Sequence, residues 1–319
     1  MPVYRDHLPQ LDAALFLTDG GIETTMIFDE GIDLPDFAAF TLLAEGRGRD
    51  ALQRYFDAYA AIAVRDQVGI VLETPTWRAS SDWGARRGYD LEQLDAANRA
   101  GVALLEDTRR RHARPGTPIV ISGCVGPRGD GYQPGATMTV AEARAYHAGQ
   151  VRTFAASEAD LVTAITMTYV DEAIGIATAA RAEGVPVVIA FTVETDGALP
   201  TGQSLAGAIA AVDTATDAYP AYYMVNCAHP KHFGHVLEAG SAWAGRLRGI
   251  RANASELSHA ELDEATELDS GDPHALAELY RGLRQAHPQI TVVGGCCGTD
   301  HRHVGAISAT CLLDADAVR

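Results

Sequence analysis

Five of the 319 residues are cysteine, and three of them stand where thiol chemistry could be done. Cys227 closes the run Val225-Asn226-Cys227, and an adjacent pair lies in Gly294-Gly295-Cys296-Cys297-Gly298. Neighbouring cysteines do not readily form a disulfide with each other, whereas flanking glycines let the backbone turn tightly enough to aim both sulfurs at one ion. With Cys227 they make a three-thiolate ligand set. Soft thiolates in tetrahedral geometry suit zinc, and three protein ligands leave the fourth position for a substrate, as catalytic sites require. Zn2+ is therefore the expected cofactor. Five cysteines so spaced do not make a disulfide framework in a chain this long. Cys124 and Cys311 read as small buried apolar residues.

Residues 227 and 296 can meet only if the fold gathers distant strand ends. Short apolar runs, each followed by a turn signal and a helical pattern, recur along the chain in the alternation of βα units. Eight strands are predicted, over 16–19, 70–73, 119–124, 161–165, 187–191, 222–226, 247–252 and 290–294. Helices are predicted over 51–67, 91–111, 140–157, 171–183, 204–213, 273–287 and 300–313. Thr139 with Glu142 three residues on has capping-box spacing, Asp272-Pro273 is a cap followed by a first-turn proline, and Gly184 supplies a stop. Eight such units fit a closed barrel better than an open doubly wound sheet. Asp19-Gly20-Gly21-Ile22-Glu23-Thr24 also lacks the glycine spacing of a dinucleotide-binding turn. The expected fold is α/β, a single (β/α)8 TIM barrel filling residues 1–319 as one domain. Barrel enzymes place reacting groups where strands end, which is where Cys227 and Cys296 fall. The acidic, irregular stretch 255–272 reads as an exposed loop with no part in the chemistry.

The formal net charge is −17, from 42 acidic and 25 basic side chains, which would repel nucleic acid and anionic membranes. The densest basic stretch, 109–114, falls at a helix end, where cations are favoured. No run approaches 18 apolar residues, and residues 1–10 carry charges and prolines where a signal peptide needs an apolar stretch. A cytoplasmic protein acting on small molecules is expected, with no nucleic-acid or membrane partner; a homo-oligomer is compatible with the composition.

Over nearly its whole length the chain resembles the homocysteine S-methyltransferase family, which includes betaine- and S-methylmethionine-dependent enzymes. The matching motifs are Leu17-Thr18-Asp19-Gly20-Gly21 with Glu23-Thr24, Glu73-Thr74-Pro75-Thr76 with Ala79-Ser80, and Gly123-Cys124-Val125-Gly126-Pro127. Phe191-Thr192, Val225-Asn226-Cys227 and Gly294-Gly295-Cys296-Cys297-Gly298-Thr299 follow, the last two being specific in combination. The resemblance implies that Cys227, Cys296 and Cys297 bind zinc and that a thiol acceptor, homocysteine or a related thiol, enters as the fourth ligand. Coordination deprotonates a thiol near neutral pH, so the protein need only align it with a small sulfonium or ammonium methyl donor. Asp19, Gly20, Glu23, Thr74, Arg78, Ile165 and Asn226 are the substrate-binding positions it implies, with Asp19 near the acceptor's ammonium.

Two positions depart from the family pattern. The glutamate that usually ends the fourth strand and grips the substrate amine is Ile165 here, so Asp19, Glu73 or Glu194 must compensate, or the thiol is not homocysteine in the usual pose. A tyrosine that helps seat betaine is replaced by Arg78, which could instead bind a carboxylate of donor or acceptor. Of Trp77, Trp83, Tyr132 and Tyr169, one or two are expected to line the donor site. His229 reads as a loop-capping residue. The alternatives are a zinc hydrolase or lyase on the same barrel, or a non-catalytic thiol- or zinc-binding regulator.

Overall fold

The computed structural model describes residues 1–316 apart from Ala13, Glu45 and Ala239. Eight parallel strands run β1 (Phe16–Thr18), β2 (Gly69–Glu73), β3 (Ile119–Val125), β4 (Leu161–Met167), β5 (Val187–Phe191), β6 (Tyr222–Asn226), β7 (Leu247–Ala252) and β8 (Val292–Gly295). Pairing of Phe16 with Val292 and of Leu17 with Val293 closes the barrel between β1 and β8.

Parallel neighbours need long crossovers, and helices supply them. These are α1 (Arg47–Asp66), α2 (Leu91–His112), α3 (Val140–Ala155), α4 (Val170–Glu183), α5 (Leu205–Thr216) and α6 (Pro273–Ala286), while α7 (His301–Asp316) follows the last strand. The sixth crossover is the exception, being made among the described residues of short turns at Pro230–Phe233, Gly234–Val236 and Ala244–Arg246. Helix boundaries follow local chemistry. Thr139 and Glu142 form the expected capping box of α3, Asp272 caps α6 ahead of Pro273, and Gly184 ends α4 at φ +67°. None of these helices is long and apolar enough to cross a membrane.

Alternation along each strand divides the core in two. Phe16, Val71, Val120, Leu161, Val188, Tyr222, Met224 and Val292 fill the barrel interior, while Leu17, Ile70, Leu72 and Ile121 face the helices. Burying each side chain of this size stabilises the fold by roughly 1.5–3 kcal/mol before entropy is counted. Leu8 packs into the interior from the N-terminal segment, which Asp160 holds in place. Its carboxylate accepts from the backbone N–H of Val3, Tyr4 and Ile121 and pairs with Arg109 at 2.9 Å. With that end filled, the open end of the barrel is the one where the strands finish.

Strand ends depart from the sequence reading in an informative way. β1 stops at Thr18, which frees Asp19 from the sheet, and β4 runs on past Ile165 to Met167 through a register shift. Thr166 sits in that irregularity with φ +61°. Its N–H donates to Asn226 Oδ1 at 2.8 Å, and the amide of Asn226 donates back to Thr166 Oγ1 at 3.0 Å. A side chain from β6 thereby stabilises a backbone conformation that is unfavourable for threonine.

Candidate metal centre and substrate chambers

Cys227 is the first residue beyond β6 and has φ +56°, a left-handed conformation that costs a non-glycine residue about 1–3 kcal/mol. Three contacts hold it there. Its N–H donates to Arg251 O at 3.0 Å, and its carbonyl accepts from Asn253 Nδ2 at 3.0 Å and His259 Nε2 at 2.8 Å. Beyond β8, Cys296 N–H donates to Ala252 O at 2.8 Å, and Thr299 Oγ1 donates to Cys296 O at 2.7 Å. A side chain at Gly295 would collide with Thr299, and Gly298 takes φ +76° to bring the chain round. The glycines around the pair are thus required by space and by conformation.

The result is convergence. Cys227 Sγ lies 3.0 Å from Cys296 Sγ and 3.5 Å from Cys297 Sγ, and all three sulfurs fall within 4.8 Å of one another. Such a set could hold a metal ion. Hydrogen bonding with Cys227 and Cys297, helped by the charge of Arg251, drives the Cys296 thiol well below its usual range. Cys227 is pushed up, chiefly by hydrogen bonding with Cys296 and Cys297; Cys297 also rises, because Cys296 and burial outweigh the opposing bond with Cys227. Cys124 is buried nearby, its thiol pushed up by burial and Glu73, and lies outside the cluster. Cys311, on α7, packs in the core, as expected of an apolar residue.

Two connected chambers open onto these sulfurs, an inner one of about 60 Å3 and an outer one of about 230 Å3. Glu23, Thr24, Trp77, Thr166, Cys227 and Cys297 line both. Cys296, Gly20, Thr74, Cys124, Ile165, Glu73 and Arg251 also line the inner chamber, and Phe28, Phe37, Arg78, Asp130 and Tyr132 the outer one. Stretch 255–272 corrects the sequence reading. Ser255, Leu262, Asp263, Ala265, Glu267, Leu268 and Asp269 form a wall of the outer chamber, and His259 anchors Cys227. Hydrophobic periodicity is a local signal, whereas this loop lines the site because it folds back across the barrel mouth. Backbone and side-chain bonds pin it there, from Ala254 N–H to Cys297 O at 3.0 Å and from Ser255 Oγ to Asp269 Oδ2 at 2.6 Å.

The charges of the inner site are organised by Arg251, which the sequence reading missed. Its Nη2 donates to Asp19 Oδ1 at 2.7 Å, its Nε to Gly295 O at 3.1 Å, and its Nη1 closes on Glu73. Burial lifts the Asp19 carboxyl to about 7 against the pull of Arg251, and it lifts Glu73 as well. A charged residue inside the buried run 247–252 was the signal that could have found it. Asp19 lies beneath the chambers rather than lining them, and Asn226 acts on Thr166 and, at 3.9 Å, on Cys296 Sγ. Glu194 pairs with His259 at 3.1 Å. All three acids offered as substitutes for the missing glutamate are therefore already engaged.

Arg78 is buried between two indoles, with its guanidinium 3.8 Å from the Trp77 ring and 3.7 Å from that of Trp83. Nη1 donates to Gly129 O at 2.8 Å, while Nε is buried without a partner; burial lowers the group to about 10. Trp77 and Tyr132 line the chambers, and Trp83 and Tyr169 do not. The Tyr132 hydroxyl lies 3.6 Å from Cys227 Sγ, and its ring stacks on His259 at 4.0 Å. His229 accepts from Lys231 N–H across its own turn, the capping role expected of it.

A closed parallel barrel with three thiols gathered at the strand ends, beside a cavity lined by aromatics and acids, defines a barrel that could present a metal ion to a small-molecule substrate. The chain belongs to the homocysteine S-methyltransferase family, whose model matches residues 16–311, and it is a methyltransferase acting on a thiol. Among solved structures it is similar to the homocysteine methyltransferase MmuM from Escherichia coli. The oxidised form is 21% identical with a TM-score of 0.74, covering 95% of this chain and 97% of that one. The metallated form is 20% identical with a TM-score of 0.73, covering 93% and 96%. At this identity the likeness speaks to the fold. No curated protein sequence matches the chain significantly.

Proposed function

We propose that this chain transfers a methyl group from a small cationic donor to a thiol acceptor at a zinc ion held by Cys227, Cys296 and Cys297. The observation that carries the reading is that these three sulfurs converge within 4.8 Å and that two of them line both chambers. Three soft donors with room beside them fit zinc in a catalytic setting. Bound there, zinc would supply a thiol substrate with a lowered pKa.

The chain's own residues do the rest. Phe28, Phe37, Trp77 and Tyr132 line the outer chamber, and Glu23, Asp130, Asp263, Glu267 and Asp269 add negative charge against Arg78, the one cation among its described lining residues, which lies 3.6 Å from Asp130. A sulfonium or quaternary ammonium is favoured over aromatic faces in such a field. Arg78, stiffened by its two indoles, would orient a carboxylate. The acceptor sulfur then attacks the methyl carbon as the bond from that carbon to the donor's sulfur or nitrogen breaks, and the donor leaves as a neutral thioether or amine. Burial in the chambers keeps water from competing. The whole chain, residues 1–319, acts as one barrel domain in the cytoplasm, where the thiols stay reduced.

The test is to supply zinc-loaded protein with a panel of thiols and of sulfonium and ammonium donors, and to follow both products by mass spectrometry. A methyl thioether formed in equal amount with demethylated donor is expected. Tight thiol binding with no product from any donor would overturn the reading in favour of a regulatory protein.

A further inference from the structure

Sequence offered Asp19, Glu73 and Glu194 to meet the substrate ammonium and Glu23 as a further substrate-binding position, and among the described residues only Glu23 of these four has no ion-pair partner. Asp19 and Glu73 are both bound by Arg251, and Glu194 is bound by His259. Ile165, at the end of β4, gives the inner chamber an apolar wall. Glu23 lines both chambers together with Cys227 and Cys297. Among the described residues its carboxylate has no ion-pair partner and no hydrogen bond from another side chain; it accepts from its own backbone N–H, and burial lifts it to about 7 against the more distant pull of Arg78 and Arg251.

Its place is built rather than incidental. The helical turn Ile22–Thr24 that carries it is docked onto the cysteine loop by Gly21 N–H to Thr299 O at 3.0 Å and by Gly298 N–H to Thr24 Oγ1 at 3.2 Å. Gly21 makes that approach feasible, since a Cβ there would stand 2.7 Å from Cys296 O. The carboxylate is thus held where the two chambers share their lining, with Cys227 and Cys297, by contacts of the turn that carries it.

We propose that Glu23 holds the ammonium of an amino-thiol acceptor, the role that Ile165 cannot fill. The inference rests on the thiol methyltransferase reading given above. In homocysteine four bonds separate sulfur from nitrogen, a span suited to a carboxylate adjoining the sulfurs. With Arg78 lining the same outer chamber, the carboxylate of the same molecule meets a cation.

The experiment compares homocysteine with 4-mercaptobutyrate, which keeps the thiol and carboxylate and lacks the amine. Dissociation constants by calorimetry and kcat/KM are measured for zinc-loaded wild type, Glu23→Gln and Glu23→Asp. The quantity read is the preference for homocysteine over the amine-free thiol. Loss of a charge-assisted hydrogen bond should cut it by about one to two orders of magnitude in Glu23→Gln, mostly through binding and KM, with Glu23→Asp retaining part of it. An unchanged preference in Glu23→Gln, or a wild type with no preference, overturns the proposal. Should Glu23→Gln lose its cooperative unfolding transition, the Glu23→Asp preference decides alone, and an unchanged value there also overturns it. If wild type binds homocysteine in preference yet methylates no thiol, the functional reading fails while the calorimetric comparison still decides the role of Glu23.

Discussion

Arg251→Met would remove the guanidinium from between Asp19 and Glu73 and leave two carboxyl groups buried at the barrel mouth. Asp19 is 0% exposed, Glu73 2% and Arg251 4%, so water cannot take over the lost interactions. Removing one partner of a buried pair costs about 3–5 kcal/mol, because the remaining charge stays uncompensated. Acid should relieve that cost. Asp19 already titrates at about 7 with Arg251 present, and without it both carboxyls would rise further. Groups whose folded pKa lies above the unfolded value bind more protons in the native state. Their contribution is fully present below about pH 4, the ordinary carboxylate range, and is lost as pH rises through the folded value. The gap between wild type and variant should therefore widen between about pH 5 and 8. Urea unfolding followed by tryptophan fluorescence should show the full deficit at pH 8 and less than half of it at pH 5.5. Asp19→Asn and Glu73→Gln added to Arg251→Met should recover most of the loss. A deficit equal at both pH values, or none at pH 8, would refute the argument that Arg251 neutralises these two acids.

Two further outcomes follow from the site. Cys227→Ala, Cys296→Ser and Cys297→Ser should each abolish zinc retention and turnover while unfolding as cooperatively as wild type, since the core lies in the barrel and between strands and helices rather than at its mouth; metal analysis beside circular dichroism checks this, and loss of the fold in any variant would make the metal structural. Arg78→Met should raise KM about 10- to 100-fold for carboxylate-bearing substrates with a much smaller effect on an uncharged thiol, a split that steady-state kinetics across such pairs would expose and that a merely structural arginine would not produce.

Local pattern carried a good deal of this protein. The eight strands and seven long helices were readable because each βα unit repeats an apolar run, a turn and an amphipathic stretch, and Thr139, Asp272 and Gly184 mark boundaries by chemistry that acts over three or four residues. The cysteines were readable for a related reason. Gly-Gly-Cys-Cys-Gly is too unusual a local arrangement to serve packing alone, and Cys227 stands at a strand end, where a barrel does its chemistry.

Which charges are available to a substrate was decided only by the tertiary structure. Asp19, Glu23, Glu73 and Glu194 look alike in the sequence, four acids at or near strand ends. Arg251 reaches across from β7 to engage two of them and His259 takes a third, so among the described residues Glu23 is the one of the four that lines the chambers without an ion-pair partner. The wall formed by 255–272 is of the same kind, since no periodicity within a loop reports where its ends return. Secondary structure and ligand motifs are set by neighbours along the chain and can be read from it. The balance of a buried charge depends on partners more than two hundred residues away, as Asp19 and Arg251 are, and only folding brings them within a hydrogen bond of each other.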